Sequence, residues 1–419
     1  MQESVAVFLL IGLFAVMIIC HLPVTFAMVI ATATTMLYLN IPMMTMVQQM
    51  AKSVNSFSLL AIPFFILMGE IMGAGGISDR LLKFANVLVG RFRGGLAFVN
   101  VLASMFFGGI SGSAVADVSS LGKIEIPMME DAGYDKDFSI CVTVSSACQG
   151  LLIPPSHNMV LYAMTAGGVS VGKLFLAGYA PGILLGVALM ALCYIFAIKR
   201  NYPKGDPVSF KEALVITKDA VFAIGAMFIM GGGVVAGLFT ATEAAAIGCI
   251  YCLLVATLVY RQLSLKDMGR ILYNTVKTLA MIYSLIAAAG AFAWMMAYLR
   301  IPAKFTGILM DVSDNKIVVL LLINVLLLLL GCIMDMAPLI LIMTPILLPV
   351  VQKFGMDPVQ FGIMLIANLA IGLLTPPVGS CLYAGCAVGG AKIEKVTKCM
   401  LPFYLTMVIV LLMITFIPA

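Results

Sequence analysis

The sequence predicts an all-α polytopic membrane protein built from two inverted-topology repeats, each with a re-entrant helical hairpin and a proline-broken transmembrane helix. Three observations carry this prediction: composition, an internal register and the placement of basic residues. The 419 residues are 63% hydrophobic and only 10% charged, with a mean hydropathy of +1.13. That is too little charge to cover a water-soluble surface of this size, so lipid must be the main solvent. Shifted by 222 positions without a gap, Gly109 falls on Gly331, Pro127 on Pro349, Gly133 on Gly355 and Asp135 on Asp357. The same register places Gly150-Leu151-Leu152 on Gly372-Leu373-Leu374 and Pro154-Pro155 on Pro376-Pro377. Residues that control backbone geometry rarely agree this way by chance, so the chain reads as a duplication, 1–205 and 206–419.

The elements follow from apolar length, since a span needs roughly 20 apolar residues and a hairpin arm fewer. Long apolar segments cover 5–20, 22–39, 57–74, 139–167, 174–198, 220–239, 242–260, 275–299, 358–388 and 398–418. Residues 95–131 and 317–351 instead hold two short apolar arms around a tip rich in Gly, Ser or Pro, and each reads as a re-entrant hairpin. No basic stretch precedes the apolar run from Val5 to Cys20, so that run is expected to be retained as a span rather than cleaved. With the N-terminus in the periplasm, 18 of the 24 Lys and Arg fall in the cytoplasmic loops 79–94, 123–137, 199–218, 261–277 and 390–398, as the positive-inside rule requires. The same topology opens the first hairpin to the cytoplasm and the second to the periplasm, which inverts the halves.

Composition also removes several function classes. No GxxxxGK[ST] phosphate loop occurs, so work must come from a gradient or a partner. With His21 and His157 alone, a histidine metal site is not expected, and Cys249 and Cys252 form a single CxxC inside a predicted span. No nucleic-acid partner is expected. An enzyme using Asp117, Asp335 or Glu243 would need a nucleophile–base pair or metal set that the sequence does not offer. A channel is a further alternative, which saturable, gradient-dependent uptake would exclude.

The matched breaks give the sharpest chemistry. Proline has no amide to donate to the carbonyl four residues earlier. Pro154 and Pro155 are therefore expected to free the carbonyls of Gly150 and Leu151, and Pro376 and Pro377 those of Gly372 and Leu373. Such oxygens suit a hard cation like Na⁺, and the competing reading is a kink satisfied by neighbouring hydroxyls. The hairpin tips add Ser111, Ser113 and Asp117 on one side and Asp335, which aligns with Ser113, on the other. Facing them are Ser145, Ser146 and Ser156 on the first broken helix, and Asn368, Thr375 and Ser380 on the second. A carboxylate at membrane depth is a functional candidate by default, although Asp117 and Asp335 can also simply cap hairpin helices. Glu243, just after Thr240 and Thr242, reads first as part of a helix N-terminus. Arg300 can attract an anion or snorkel at the interface.

The strings GGISGSAVADVSSLG (108–122), QGLLIPPS (149–156), GLFTATEAAA (237–246), GCIMDMAPLILIMTPILLP (331–349) and IGLLTPPVG (371–379) resemble the large membrane subunit of tripartite ATP-independent periplasmic (TRAP) transporters, the DctM-like family. The likeness runs in order along essentially the whole chain. It implies a sodium-driven, elevator-type permease of the bacterial inner membrane, with scaffold and transport domains interleaved between the repeats. It also implies a small four-helix membrane subunit, expected here as a separate polypeptide, and a periplasmic solute-binding protein. The solute would be an organic acid such as a sialic acid, a sugar acid or a C4-dicarboxylate. A stand-alone cation/dicarboxylate symporter of the same broad fold is the alternative. Carried onto this chain, the resemblance implies one Na⁺ site near Ser111, Ser113, Gly150, Leu151 and Pro154. A second would lie near Asp335, Gly372, Leu373, Thr375 and Pro376. Solute would bind near Ser113, Asp117, Ser156, Asn158 and Asp335, with Arg300 a weaker candidate. The sequence departs from the family at His157, where a histidine can alter specificity or add pH sensitivity.

Overall fold

A computed structural model describes residues 2–205 and 208–417, without the side chains of residues 2, 58, 109–111, 265, 309 and 311–312. The first half comprises α1 (Gln2–Ile19), α2 (Val24–Tyr38), α3 (Met43–Val54), α4 (Ala61–Ala74), α5 (Ile77–Val89), α6 (Gly95–Ser111), α7 (Ala114–Ser120), α8 (Gly122–Asp131), α9 (Lys136–Gly150), α10 (His157–Ala166) and α11 (Val171–Lys199). The second comprises α12 (Phe210–Val235), α13 (Ala241–Val259), α14 (Leu265–Tyr298), α15 (Ile301–Val312), α16 (Lys316–Gly331), α17 (Met336–Lys353), α18 (Pro358–Gly372), α19 (Ser380–Gly389) and α20 (Ile393–Phe416). No strand occurs among the described residues, apart from one isolated bridge between Arg93 and Lys204. Six described helices are long and apolar enough to cross a membrane, and the pair α4–α5, bent by 72°, is a seventh candidate.

Helix boundaries repeat at the offset seen in the sequence. α9 ends at Gly150 and α18 at Gly372, while α7 and α8 together cover the span that α17 covers 222 positions later. At 15 residues, α9 and α18 are each too short to cross alone, at about 1.5 Å per residue. Both end where the prolines remove amide donors, and the chain resumes as α10 or α19 after six or seven residues. The halves differ before the first hairpin: α3 and α4 in the first stand where α14 runs unbroken for 34 residues in the second.

Packing sorts the helices into two groups. α1 to α4 gather with α13 and α14, whereas α6 to α11 gather with α16 to α20. Short α5 and α15 link one group to the other; α5 lies against α12 and α6, and α15 against α17. The sequence did not anticipate α3, α5 or α15, whose apolar residues occupy only one face. The expected cytoplasmic loop 261–277 is instead mostly helical. Ser264 and Asp267 form a reciprocal cap, in which the Ser264 amide donates to Asp267 Oδ2 at 3.1 Å and starts α14 early. Similarly, the expected loop 123–137 holds most of α8.

Glycine sets how closely each hairpin meets its broken helix. A Cβ on Gly108 would lie 2.3 Å from Gly150 Cα, and one on Gly372 would lie 2.6 Å from Gly331 Cα. Both neighbours are backbone, so neither can swing away. Gly108, which makes the first-half contact, lies one residue before the register position of Gly331. Beside each crossing lies a polar bond between the same two helices. Ser146 donates to Asn100 Oδ1 at 2.7 Å in one half, and Asn368 donates to Asn324 Oδ1 at 3.0 Å in the other.

Gly372→Ala is expected to lower thermal stability by about 1–3 kcal/mol or more, because overpacking cannot relax here. Gly269→Ala, in open space on α14, is expected to stabilise by roughly 0.5–1 kcal/mol. Melting curves of the purified proteins check both, and equal melting points would refute the packing account.

Candidate functional site

A cavity of about 1410 Å³ lies between the two helix groups. Its first wall is α2, α4 and α14, with Glu70 on α4 and Arg270, Asn274 and Thr278 on one face of α14. The 270, 274, 278 spacing brings these side chains into one column. Asn274 Nδ2 donates to Glu70 Oε2 at 3.2 Å across that wall. The second wall is made by the hairpins: Ser113, Ser119, Ser120 and Lys123 from the first, Asp335 and Ala337 from the second, and His157 at the start of α10.

Ser113 and Asp335 sit at equivalent places, each immediately before the helix leaving its hairpin tip. Ser113 Oγ accepts from the Ala116 amide at 3.4 Å, and Asp335 Oδ1 accepts from the Met336 amide at 2.9 Å. Both are therefore caps, the reading the sequence left open for Asp335. Capping also turns these helix starts toward the cavity, where their amide ends favour negative charge.

The breaks are tighter than the proline argument alone requires. Gly150 O accepts from the Ile153 amide at 3.1 Å, and Gly372 O from the Thr375 amide at 3.0 Å. Leu373 O accepts from the Cys381 amide at 3.1 Å. The expectation of four freed carbonyls is thus corrected: three have gained a new donor, Gly150 O and Gly372 O because the chain closes its last turn with shorter-range bonds once the longer-range donor is lost, and Leu373 O from Cys381 at the start of α19, across the break. Leu151 O has no donor among the described residues. A carbonyl has two lone pairs, so one donor leaves room for a second contact. Thr375 Oγ1 is turned back onto Ile371 O at 2.8 Å. The Ser111 side chain lies outside the described residues. Pro154-Pro155 and Pro376-Pro377 both have cis peptide bonds.

The tips do meet the breaks. Asn158 Nδ2 donates to Gly112 O at 3.2 Å, and the Val378 amide donates to Cys332 O at 3.1 Å. Gly112 has φ +61°, and a Cβ there would lie 2.3 Å from His157 Nδ1, so only glycine fits between the tip and the histidine.

Four of the solute candidates, Asp117, Ser156, Asn158 and Arg300, do not line the cavity. Asp117, Ser156 and Asn158 are buried inside the hairpin group. Successive helix residues turn by about 100°, so His157 can face the cavity while its neighbours turn inward. Ser156 Oγ has no hydrogen-bond partner among the described residues, nor does either Asp117 carboxylate oxygen, with Ser104 nearby but outside bonding geometry. Arg300 is exposed in the turn between α14 and α15, away from the cavity. Glu243 closes a capping box with Thr240, its Oε2 accepting from the Thr240 amide at 2.8 Å. Cys249 and Cys252 are buried free thiols, and no cluster of His, Cys, Asp or Glu suited to a metal ion occurs among the described residues. Sequence reasoning missed Glu70, Lys123, Arg270 and Asn274. The polar column inside α14 was the signal that could have found Arg270 and Asn274.

Comparison with known proteins converges on one family. The family model described as "Tripartite ATP-independent periplasmic transporter, DctM component" matches residues 11–419. The chain is 41% identical over 415 residues to the uncharacterized protein YgiK of Salmonella typhimurium, covering 98% of this chain and 95% of that one. It is 39% identical over 371 residues to the sialic acid TRAP transporter large permease protein SiaM of Vibrio cholerae, covering 88% and 87%. Among solved structures, Neisseria gonorrhoeae MtrF matches with a TM-score of 0.63 over 99% of this chain and 97% of that one; at 12% identity this likeness concerns the fold alone. The chain belongs to the DctM family, the large permease component of tripartite ATP-independent periplasmic transporters, and is a transport protein rather than an enzyme.

Proposed function

We propose that this permease imports an organic acid by Na⁺-driven, elevator-type movement, receiving it from a periplasmic solute-binding protein and working with a small membrane subunit. The carrying observation is the cavity itself, walled by both hairpin tips on one side and by α2, α4 and α14 on the other. In this reading the hairpin group moves against the first group, and α5 and α15 act as its arms. The halves are inverted in the membrane, with the N-terminus in the periplasm.

Charge supports the solute class. The cavity holds Lys123 and Arg270 against Glu70 and Asp335; Glu70 is engaged by Asn274 and Asp335 by the Met336 amide, which leaves the two bases to meet a carboxylate. The sialic acid relative fits the same chemistry; a sugar acid or C4-dicarboxylate fits it too. Lys123, Arg270 and Pro23 lie at chain positions that the basic-residue bias assigns to the cytoplasm. This conformation is therefore read as open inward.

Sodium fits the donors present. Every candidate ligand is an oxygen, as a hard cation needs. Leu151 O, the second lone pair of Gly150 O and the Ser113 hydroxyl would serve the first site. Gly372 O, Leu373 O, Thr375 and Asp335 would serve the second. Pro154 and Pro376 contribute by withholding amides rather than as ligands.

Reconstituted with its small subunit and binding protein, the wild-type chain is expected to accumulate solute only under an inward Na⁺ gradient. Uptake by the chain alone would favour the stand-alone symporter instead.

Asp335→Ala and Ser113→Ala are each expected to reduce Na⁺-driven uptake to background while leaving folded protein in the membrane. Wild-type rates in either variant would remove that residue from the site.

A further inference from the structure

Glu125 is the most anomalous acid in the molecule. It lies on α8 in the first hairpin, 0% exposed, and neither carboxylate oxygen has a hydrogen-bond partner among the described residues. Its surroundings can be read from the helix face it shares. Gly122, Glu125 and Met129 are spaced three and four residues apart, so they lie on one side of α8. Gly122 faces Thr143 Cγ2 on α9, its added Cβ falling 3.2 Å away. Asn100 Nδ2 on α6 approaches Met129 Sδ at 3.9 Å. Glu125 therefore points into the seam between α8, α6 and α9. That seam is polar: Asn100 donates to Thr143 Oγ1 at 2.7 Å, Ser146 donates to Asn100, and Ser104 donates to Ser146 at 3.2 Å.

Among the described residues no cation answers Glu125. α6 has no ionisable side chain. α7 offers only Asp117, of the same charge sign. On α8 itself, Lys123 faces the cavity, Glu130 pairs with Lys136 at 3.6 Å, and Asp131 lies at the end of the helix. From α9 come that Lys136, Asp137, which is held by Arg200 at 3.7 Å, and the thiols of Cys141 and Cys148. α19, also packed on α8, contributes Cys381, Tyr383 and Cys386. A buried carboxylate without compensation costs several kcal/mol, so Glu125 must hold either a proton or a bound cation. A shared cation site with Asp117 is too wide. Eight residues along nearly continuous helix separate the two acids, about 12 Å of rise, against ligand distances of about 2.5 Å for a hard cation. The seam's hydroxyls and amide are already bonded to one another.

We propose that Glu125 is a proton-binding site carried by the moving hairpin group, so that solute import is accompanied by proton movement. This rests on the transport reading above. The carboxylate holds its O–H bond while the seam is closed, as it is in this inward-open conformation, having taken the proton up on the periplasmic side, and gives it to the cytoplasm only when α8 parts from α6 and α9.

The test uses the full complex in liposomes loaded with a pH-sensitive dye, with solute uptake and lumenal acidification recorded together under a fixed Na⁺ gradient. Wild type is expected to acidify the lumen in proportion to solute taken up, and Glu125→Gln is expected to lose the acidification per solute. Absence of acidification in wild type during normal uptake overturns the proposal. So does acidification retained in E125Q, or a loss of radioactive Na⁺ per solute in E125Q in place of protons. Failure of wild-type uptake itself would count against the transport reading, not against Glu125. If E125Q does not transport, difference infrared spectra of the purified proteins decide. A protonated-carboxyl band at neutral pH, present in wild type and missing in E125Q, supports the site, and its absence from wild type rules the site out.

Discussion

Hydrocarbon offers no hydrogen bonds, and both broken helices of this protein are shaped by that constraint. Two prolyl pairs interrupt α9–α10 and α18–α19, and each interruption leaves polar backbone that only protein can satisfy. The chain meets the demand locally with tightened turns at Gly150 and Gly372, and then across elements. Val378 donates to Cys332 O, Asn158 to Gly112 O, and the Tyr404 hydroxyl to Leu374 O at 2.6 Å. The third of these bonds comes from α20, while the first two reach only if hairpin and broken helix touch at backbone distance. That contact in turn explains glycine at 108, 150, 331 and 372. Break, tip and glycine crossing are one structural unit made twice.

The two walls of the cavity obey different rules. The hairpin wall presents backbone-rich tips capped by Ser113 and Asp335, and its shape is fixed by the unit just described. The α4–α14 wall is plain helix, and its polarity comes from side chains such as Glu70 and Asn274 that bond each other across it. On the transport reading proposed above, one wall slides past the other, and no main-chain bond between them among the described residues opposes it. The connecting helices α5 and α15 are short, and α4 and α5 meet at 72°. Sliding needs joints of this kind between groups that are otherwise internally bonded.

Much of this was legible in the sequence where backbone-controlling residues dominate. The register through Gly150, Pro154 and Pro155 located both broken helices, and the Gly- and Ser-rich strings located both tips. Side-chain direction was far less legible. Ser156, His157 and Asn158 are adjacent letters, yet only the histidine lines the cavity, because the onset of α10 sets which one faces out. Glu125 was invisible for a related reason. In KIEIPMMED it sits among other charges and reads as loop, but α8 continues through it and turns it inward. Arg300 looked like an anion ligand from its place at the end of a span, and the left-handed turn at that residue, φ +53°, leaves it outside.

The duplication is closest in backbone and loosest in chemistry, and the difference has a physical origin. In the second break the carbonyls of Gly372, Leu373 and Leu374 each accept one donor, from Thr375, Cys381 and Tyr404. In the first, Gly150 O accepts from Ile153 while Leu151 O has no donor among the described residues. A cation gains most where it replaces the fewest existing bonds, since an oxygen already engaged has less to offer and more to lose. On the reading proposed above, the first break is then the less satisfied seat without its ion, and the second holds its shape unaided. Equal backbones need not bind equally: among the described residues no bond of the first half corresponds to those from Tyr404 and Cys381, and on the proposed reading those two donors separate an ion-hungry break from a self-sufficient one.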